Sequence, residues 1–294
     1  MWLIFSILTV LFWGTSETIF KKSSQGDKHS VVHLLAYNGL FYGVSGVVYM
    51  LIVYKGFHFP LINVIKYLPI AFIYTLSMYS YYHAMAAVKI SIISPIVNTS
   101  CVVTVLLSIF LLGQYPGAIG LIAIILIIFS LIMLSINKTP EDDIEKGLNW
   151  KPKFGIYIMG LLFAFGYFIL DGVGSFLDEF TLQGRMSAED MLISYALIYL
   201  VVGIGCYIYL KIKDKNYKFE LDKYKFIGSI FETSGQYTFI YALGAGFASI
   251  VSPFVASYSV ITIVLSRIFL KEKLKNLQYI WIIVAIIGII MLSV

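Results

Sequence analysis

A chain of 294 residues in which 60% are hydrophobic and only 13% charged, with a mean hydropathy of +0.88, has too little polar surface to close around a water-soluble core. This excludes a soluble enzyme and predicts an integral membrane protein. The net charge of +5 comes from lysines in short gaps between apolar runs, which marks orientation in a bilayer rather than a nucleic-acid surface.

The first apolar run, 2–20, has no basic segment before it and no small-x-small cleavage site, so it reads as a retained helix rather than a signal peptide. Runs of about 20 apolar residues recur at 31–54, 67–88, 90–112, 117–136, 154–177, 189–210, 226–246, 247–270 and 277–294. Open sheet edges find no partners in hydrocarbon, and the runs lack the alternation of a barrel. The predicted fold is therefore all-α, with ten transmembrane helices. The polar stretch 137–153 is the linker between a first unit, 1–136, and a second, 154–294.

Those two units are copies. Displaced by 158 positions, Ser91, Ile92, Ser94, Pro95, Val97, Val102, Thr104, Leu107, Ser108 and Leu112 fall on identical residues of the stretch that begins at Ser249, so the chain is a tandem duplication. Five spans per copy is an odd number, and the second copy must enter the membrane from the side opposite to the first. Inverted repeats are a recurrent basis of alternating access. Pro95 and Pro253, each beside a serine, are expected about five residues into the fourth and ninth spans, as gates or as fixed kinks.

An ionised acid at a helix centre costs on the order of 2.5–3.5 kcal/mol on insertion scales, so acids inside spans are functional candidates. Glu17 stands late in the first span, one turn from Trp13 and Phe20, or pairs with Lys21 at its rim. Glu232 stands early in the eighth, three and four positions from Ser229 and Gln236. Both belong to the same third of the membrane, with Asp171 of the sixth span nearer the other face. Asp178, Glu179, Glu189 and Asp190 read as solvated loop charges. Aromatic residues make up 16% of the chain, and Tyr67, Tyr74 and Tyr81 recur every seven residues. Such a stripe serves core packing or an interfacial belt as well as a ligand box.

Neither a metal nor a cofactor is implied. His29, His33, His58 and His83 form no ligand cluster, and Cys101 and Cys206 show no ligand spacing. The chain has no GxxxxGK[ST] loop, so energy must come from a gradient. The reversed order of Asp171-Gly172-Val173-Gly174 does not preserve the geometry of an intramembrane aspartyl protease.

The sequence FWGTSE at 12–17, the opening ASIVSPF of the ninth span and its ending FLKEKL resemble the drug/metabolite transporter superfamily, and specifically its ten-helix EamA-type members. LGQYP at 112–116 departs from that pattern by lacking the family's charges. The resemblance implies secondary transport of a small metabolite, with helices 1, 3, 4, 6, 8 and 9 around a central cavity. A carboxylate beside aromatic faces attracts an organic cation. The expected substrate is an amine, a quaternary ammonium or an amino-acid-like compound, bound by Trp13, Glu17, Tyr74, Tyr81, Asn98, Thr99, Glu232, Gln236 and Tyr258. Glu17, Glu232 and Asp171 are the proton-coupling candidates, Glu17 by its likeness to the first-helix acid of the four-helix multidrug-resistance branch. A lipid-linked sugar flippase is the competing reading. Ten helices contain both inverted halves, so a monomer suffices. The plasma membrane is the expected location. Loops on the side of the amino terminus hold only Lys55, Lys66 and Arg185 of the 21 basic residues, which predicts both termini outside.

Overall fold

The computed structural model describes residues 1–23, 30–55, 59–87, 96–136, 154–213, 222–269 and 276–293, and every regular element among them is an α-helix. In chain order these are α1 (Trp2–Ser23), α2 (Ser30–Val53), α3 (Ile62–Ala87), α4 (Cys101–Leu112), α5 (Gly117–Ile136), α6 (Phe154–Leu182), α7 (Ala188–Lys213), α8 (Lys223–Ala245), α9 (Ala248–Ala256), α10 (Tyr258–Phe269) and α11 (Asn276–Ser293). Segments α9 and α10 share one apolar run, Ala248–Phe269, so the eleven segments make ten spans. In a solvent without hydrogen-bonding capacity a helix satisfies its own backbone. Its side chains then only choose between lipid and neighbour. On α5, Ile119, Ile122, Ile125 and Phe129 are exposed at helical spacing, as are Ile280, Ile283, Ile287 and Ile290 of α11, while Ala123, Ile127, Leu131, Ile282 and Ala285 form the core between these two helices.

The most extensive packing joins α2 to α7, α1 to α8, α3 to α6 and α5 to α11. Every one of these pairs connects one half of the chain to the other. Where α2 meets α7, a Cβ on Gly39 would lie 2.5 Å from the Gly203 Cα, and one on Gly46 would lie 2.2 Å from the Ala196 Cβ, the close approach that small residues permit in membranes. Gly39 opposes Gly203 and Gly46 opposes Ala196, so the two run antiparallel. Since α7 is the second-copy equivalent of α2, the repeats are inverted.

The displacement of 158 relates contacts as well as residues. The Thr104 hydroxyl donates to the Gly172 carbonyl at 3.0 Å, and that of its equivalent, Thr262, lies 3.4 Å from the Gly14 carbonyl. Methyl groups on Gly172 and Gly14 would strike equivalent partners, Val103 at 2.5 Å and Ile261 at 2.7 Å.

Two expectations need correction. The sixth span runs 29 residues to Leu182, not to 177, so Asp178 and Glu179 are helical and buried rather than in a solvated loop. The ninth span is not one helix but breaks at Ser257 between α9 and α10. Pro253 lies inside α9, four residues before the break. Pro95 lies outside the described residues.

Candidate functional site

The break at Ser257 has a counterpart in the other half. The Ser257 N–H donates to the Phe254 carbonyl at 3.1 Å and the Val260 N–H to that of Ser257 at 2.9 Å. At the equivalent place before α4, Thr99 N–H donates to Ile96 O at 3.3 Å and Val102 N–H to Thr99 O at 2.9 Å. Both turns are closed by a hydroxyl, since Thr99 Oγ1 donates to Ile96 O at 3.0 Å and Ser257 Oγ donates to Phe254 O. A hydroxyl that offers the backbone an alternative to its helical partner explains why an unbroken apolar run turns here. Asn98 and Thr99 accordingly sit in the turn before α4, and Tyr258 opens α10. Interrupted spans at matching places in inverted halves mark the substrate site in many transporters.

Acids converge on these turns. Asp171 of α6 accepts the Ser100 hydroxyl at 2.7 Å and that of Tyr167. Glu17 of α1 accepts the Thr262 hydroxyl at 2.7 Å. Glu232 of α8 accepts the hydroxyl of Ser16, the residue beside Glu17, at 2.8 Å, and the two carboxylates interact electrostatically. The Tyr258 hydroxyl lies within electrostatic range of Glu17, Tyr81, Asp171 and Glu232. Three acids from three helices thus act electrostatically on one phenol.

Aromatic rings pack on one another beside these acids. The Trp13 and Tyr258 centroids are 5.9 Å apart and those of Trp13 and Phe239 5.1 Å. Tyr81 packs on Tyr167 at 5.2 Å, and Gln236 is buried one turn from Glu232. Trp13 reaches this position because Gly235 of α8 leaves room, a Cβ there meeting the indole at 2.3 Å. Among the described residues the indole N–H has no hydrogen-bond partner.

The other two tyrosines of the stripe point elsewhere. Tyr74 and Tyr67 both donate to Asp178, each at 2.8 Å, and Tyr74 packs on Gly174. Tyr74 is therefore a tyrosine of the α3–α6 seam, not a wall beside Glu17 and Glu232. The acids expected in loops are all engaged. Glu179 accepts from Gln114 at 2.6 Å and from Gln183 at 3.2 Å, Glu189 accepts from Tyr241 at 3.2 Å, and Asp190 accepts from Tyr54 and, at 3.0 Å, from Asn63. Gln114 aligns with Glu272, and the departure in the first copy has a physical reason: an amide donates to Glu179 where a second carboxylate would repel it. His83 packs between Tyr79 and Phe163, at 4.3 and 5.1 Å, and both cysteines are free.

Comparison with known proteins agrees with this architecture. Residues 1–136 and 158–294 each match the sequence model of the EamA-like transporter family. An uncharacterized protein of Methanocaldococcus jannaschii is 36% identical over 140 residues, which are 47% of this chain and 95% of that relative. Less than half of this chain is therefore similar to nearly the whole of the relative. A crystal structure superposes with a TM-score of 0.74 over 99% of this chain and 96% of its own, at 14% identity, a likeness of fold.

Proposed function

Because the chain belongs to the EamA-like transporter family, we propose that it moves a small organic cation, an amine, quaternary ammonium or amino-acid-like compound, by alternating access between its inverted repeats. The observation that carries this reading is the pair of matched interruptions at Thr99 and Ser257, with Glu17, Asp171 and Glu232 all within electrostatic range of Tyr258. Glu17 and Glu232 supply the counter-charge, and Trp13, Tyr81 and Tyr258 offer π faces, each contact worth roughly 0.5–2 kcal/mol. The Trp13 indole N–H, without a partner among the described residues, is a donor for an oxygen of the substrate. Glu17 and Glu232 interact electrostatically, and two like charges that interact favour a cation between them. A carboxylate cannot hold proton and amine together, so the two exchange and transport is proton-coupled.

A thermal-shift series on the purified protein, wild type beside Glu17→Gln and Glu232→Gln, tests the reading with choline-like amines, polyamines, neutral amino acids and a lipid-linked sugar. A ligand at a hundredfold excess over its Kd stabilises the folded state by about 2.7 kcal/mol. Stabilisation by amines that disappears in a glutamate variant supports the cation site. A response to the lipid-linked compound alone replaces it with a flippase.

The charge distribution further supports the reading that both termini lie outside the plasma membrane. Lys211, Lys213, Lys223, Lys225 and Arg267 lie at helix ends on the face where α1 finishes, and Lys55, Lys66 and Arg185 on the other. A carboxy-terminal reporter active only in the cytoplasm stays dark on this account.

A further inference from the structure

Asp178 takes no part in the amine site, yet it is the most completely enclosed acid in the described protein, with none of its surface exposed. Each carboxylate oxygen accepts one phenol, Oδ1 from Tyr67 and Oδ2 from Tyr74. Behind these phenols stand the rings of Tyr42, Tyr195 and Tyr199, with Tyr195 lying 6.2 Å from Tyr67, 6.4 Å from Tyr74, 5.1 Å from Tyr42 and 4.2 Å from Tyr199. Among the described residues, the titratable groups that act on Asp178 are Tyr67 and Tyr74 of α3, Tyr199 of α7, and Asp171 on its own helix. Those groups are phenols and a second acid, with no cation among them. An ionised carboxylate so placed is an uncompensated charge at membrane depth, which is costly unless it is neutralised.

Neutralisation by an amine is sterically closed, because both oxygens are already covered and the side chain has no exposed surface. A proton needs no such room. We propose that Asp178 is a proton-binding site of this transporter, separate from Glu17 and Glu232, and that its proton controls the seam between α3 and α6. When ionised, the carboxylate accepts two charge-assisted hydrogen bonds from phenols seven residues apart on α3, and these pin α3 to α6 at two points. When one proton is taken up from water onto one oxygen, that oxygen becomes a donor, the phenol beside it must turn to accept, and both bonds lose their charge assistance. The tyrosines keep their own protons throughout. Tyr199 lies within electrostatic range of Asp178 and Glu232 alike, so the charge states of the two acids meet at one hydroxyl.

The purpose of the site rests on the transporter reading, but its test requires no substrate. Infrared difference spectra of the full chain in lipid nanodiscs, recorded as pH is stepped, report the carbonyl stretch of each buried carboxyl as it gains a proton. The expected result is a titrating band that is lost in Asp178→Asn, persists in Glu17→Gln and Glu232→Gln, and moves to higher frequency in Tyr67→Phe and Tyr74→Phe, where one hydrogen bond to the carboxyl is removed. Wild-type bands unchanged in Asp178→Asn overturn the proposal. If that variant does not fold, the phenylalanine variants decide, and an unshifted band in both overturns it equally. An Asp178-dependent band in a protein that no amine stabilises supports this site while removing the cation reading. Amine stabilisation without such a band does the reverse.

Discussion

The α1–α8 seam and the α3–α6 seam are the same construction made twice, and they carry different chemistry. Displaced by 158 positions, Glu232 falls on Tyr74, Ser16 on Gly174, Phe20 on Asp178 and Lys225 on Tyr67. In the first seam the acid is on α8, half-buried, and held by a serine of α1 at 2.8 Å. In the second the acid is on α6, fully buried, and held by two phenols of α3. Glycines open both seams, Gly235 under Trp13 and Gly174 under Tyr74. Duplication supplied one backbone, and divergence of a few side chains put a serine-held acid in one seam and a phenol-held acid in the other. The lesson is that equivalence of backbone does not carry equivalence of role.

The comparison breaks most visibly at its equivalent pair. Glu232→Gln is expected to weaken amine-stimulated transport about a hundredfold, the equivalent of about 2.7 kcal/mol of lost counter-charge. Tyr74→Phe, at the same repeat position, should leave amine affinity within about twofold. Uptake by proteoliposomes measures both. The glycines come next. Gly235→Val and Gly174→Val each force a ring out of place at about 1–3 kcal/mol of stability, with Gly235 the worse because its Cβ would sit 2.3 Å from Trp13 against 2.8 Å from Tyr74. Thermal unfolding in detergent ranks them, and equal losses would contradict the geometry.

A smaller effect sharpens the comparison. Thr104→Val removes the hydroxyl that donates to the Gly172 carbonyl, and Thr262→Val the equivalent hydroxyl, at about 0.5–1.5 kcal/mol each. Thr262 spends its one hydroxyl proton on Glu17 at 2.7 Å, so only its variant should alter amine affinity. The smallest effect lies at the membrane rim. The hydrogen bond to Asp190 pushes the Tyr54 phenol up to about 12. A raised folded value means that this bond contributes fully below the phenol's ordinary range near 10, and that its contribution fades as pH rises through about 12. Tyr54→Phe should abolish that alkaline dependence while changing neutral stability by less than about 1 kcal/mol, followed by tyrosinate absorbance and thermal unfolding.

The spans, the duplication and the inversion were all legible in the sequence, because run length, self-similarity and an odd span count are properties of the chain itself. The end of α6 was not. Asp178 and Glu179 follow an apolar run and precede the polar residues 183–190, and only partners distant in sequence, Tyr67, Tyr74 and Gln114, show that they remain inside. Nor was the break at Ser257, since Ser257 itself is neither proline nor glycine and the run around it is apolar. The alignment of Thr99 with Ser257 was the available signal, a hydroxyl at the same place in both copies. The heptad of tyrosines on α3 was visible as a stripe, but not its division, with Tyr67 and Tyr74 turned to Asp178 and Tyr81 to Tyr167. Glu17 and Glu232 were legible as a pair, but not their partners, Thr262 for Glu17 and Ser16 for Glu232.

The central claim is that the two interruptions form one site that faces the two sides of the membrane in turn. Cysteines placed one at a time at the equivalent positions Asn98 and Ala256, in a background with Cys101→Ser and Cys206→Ser, test it with an impermeant thiol reagent applied from either side. The account predicts that each cysteine reacts from both sides and that a choline-like amine protects both. Reaction from one side only, or labelling that the amine leaves unchanged at both positions, would contradict it.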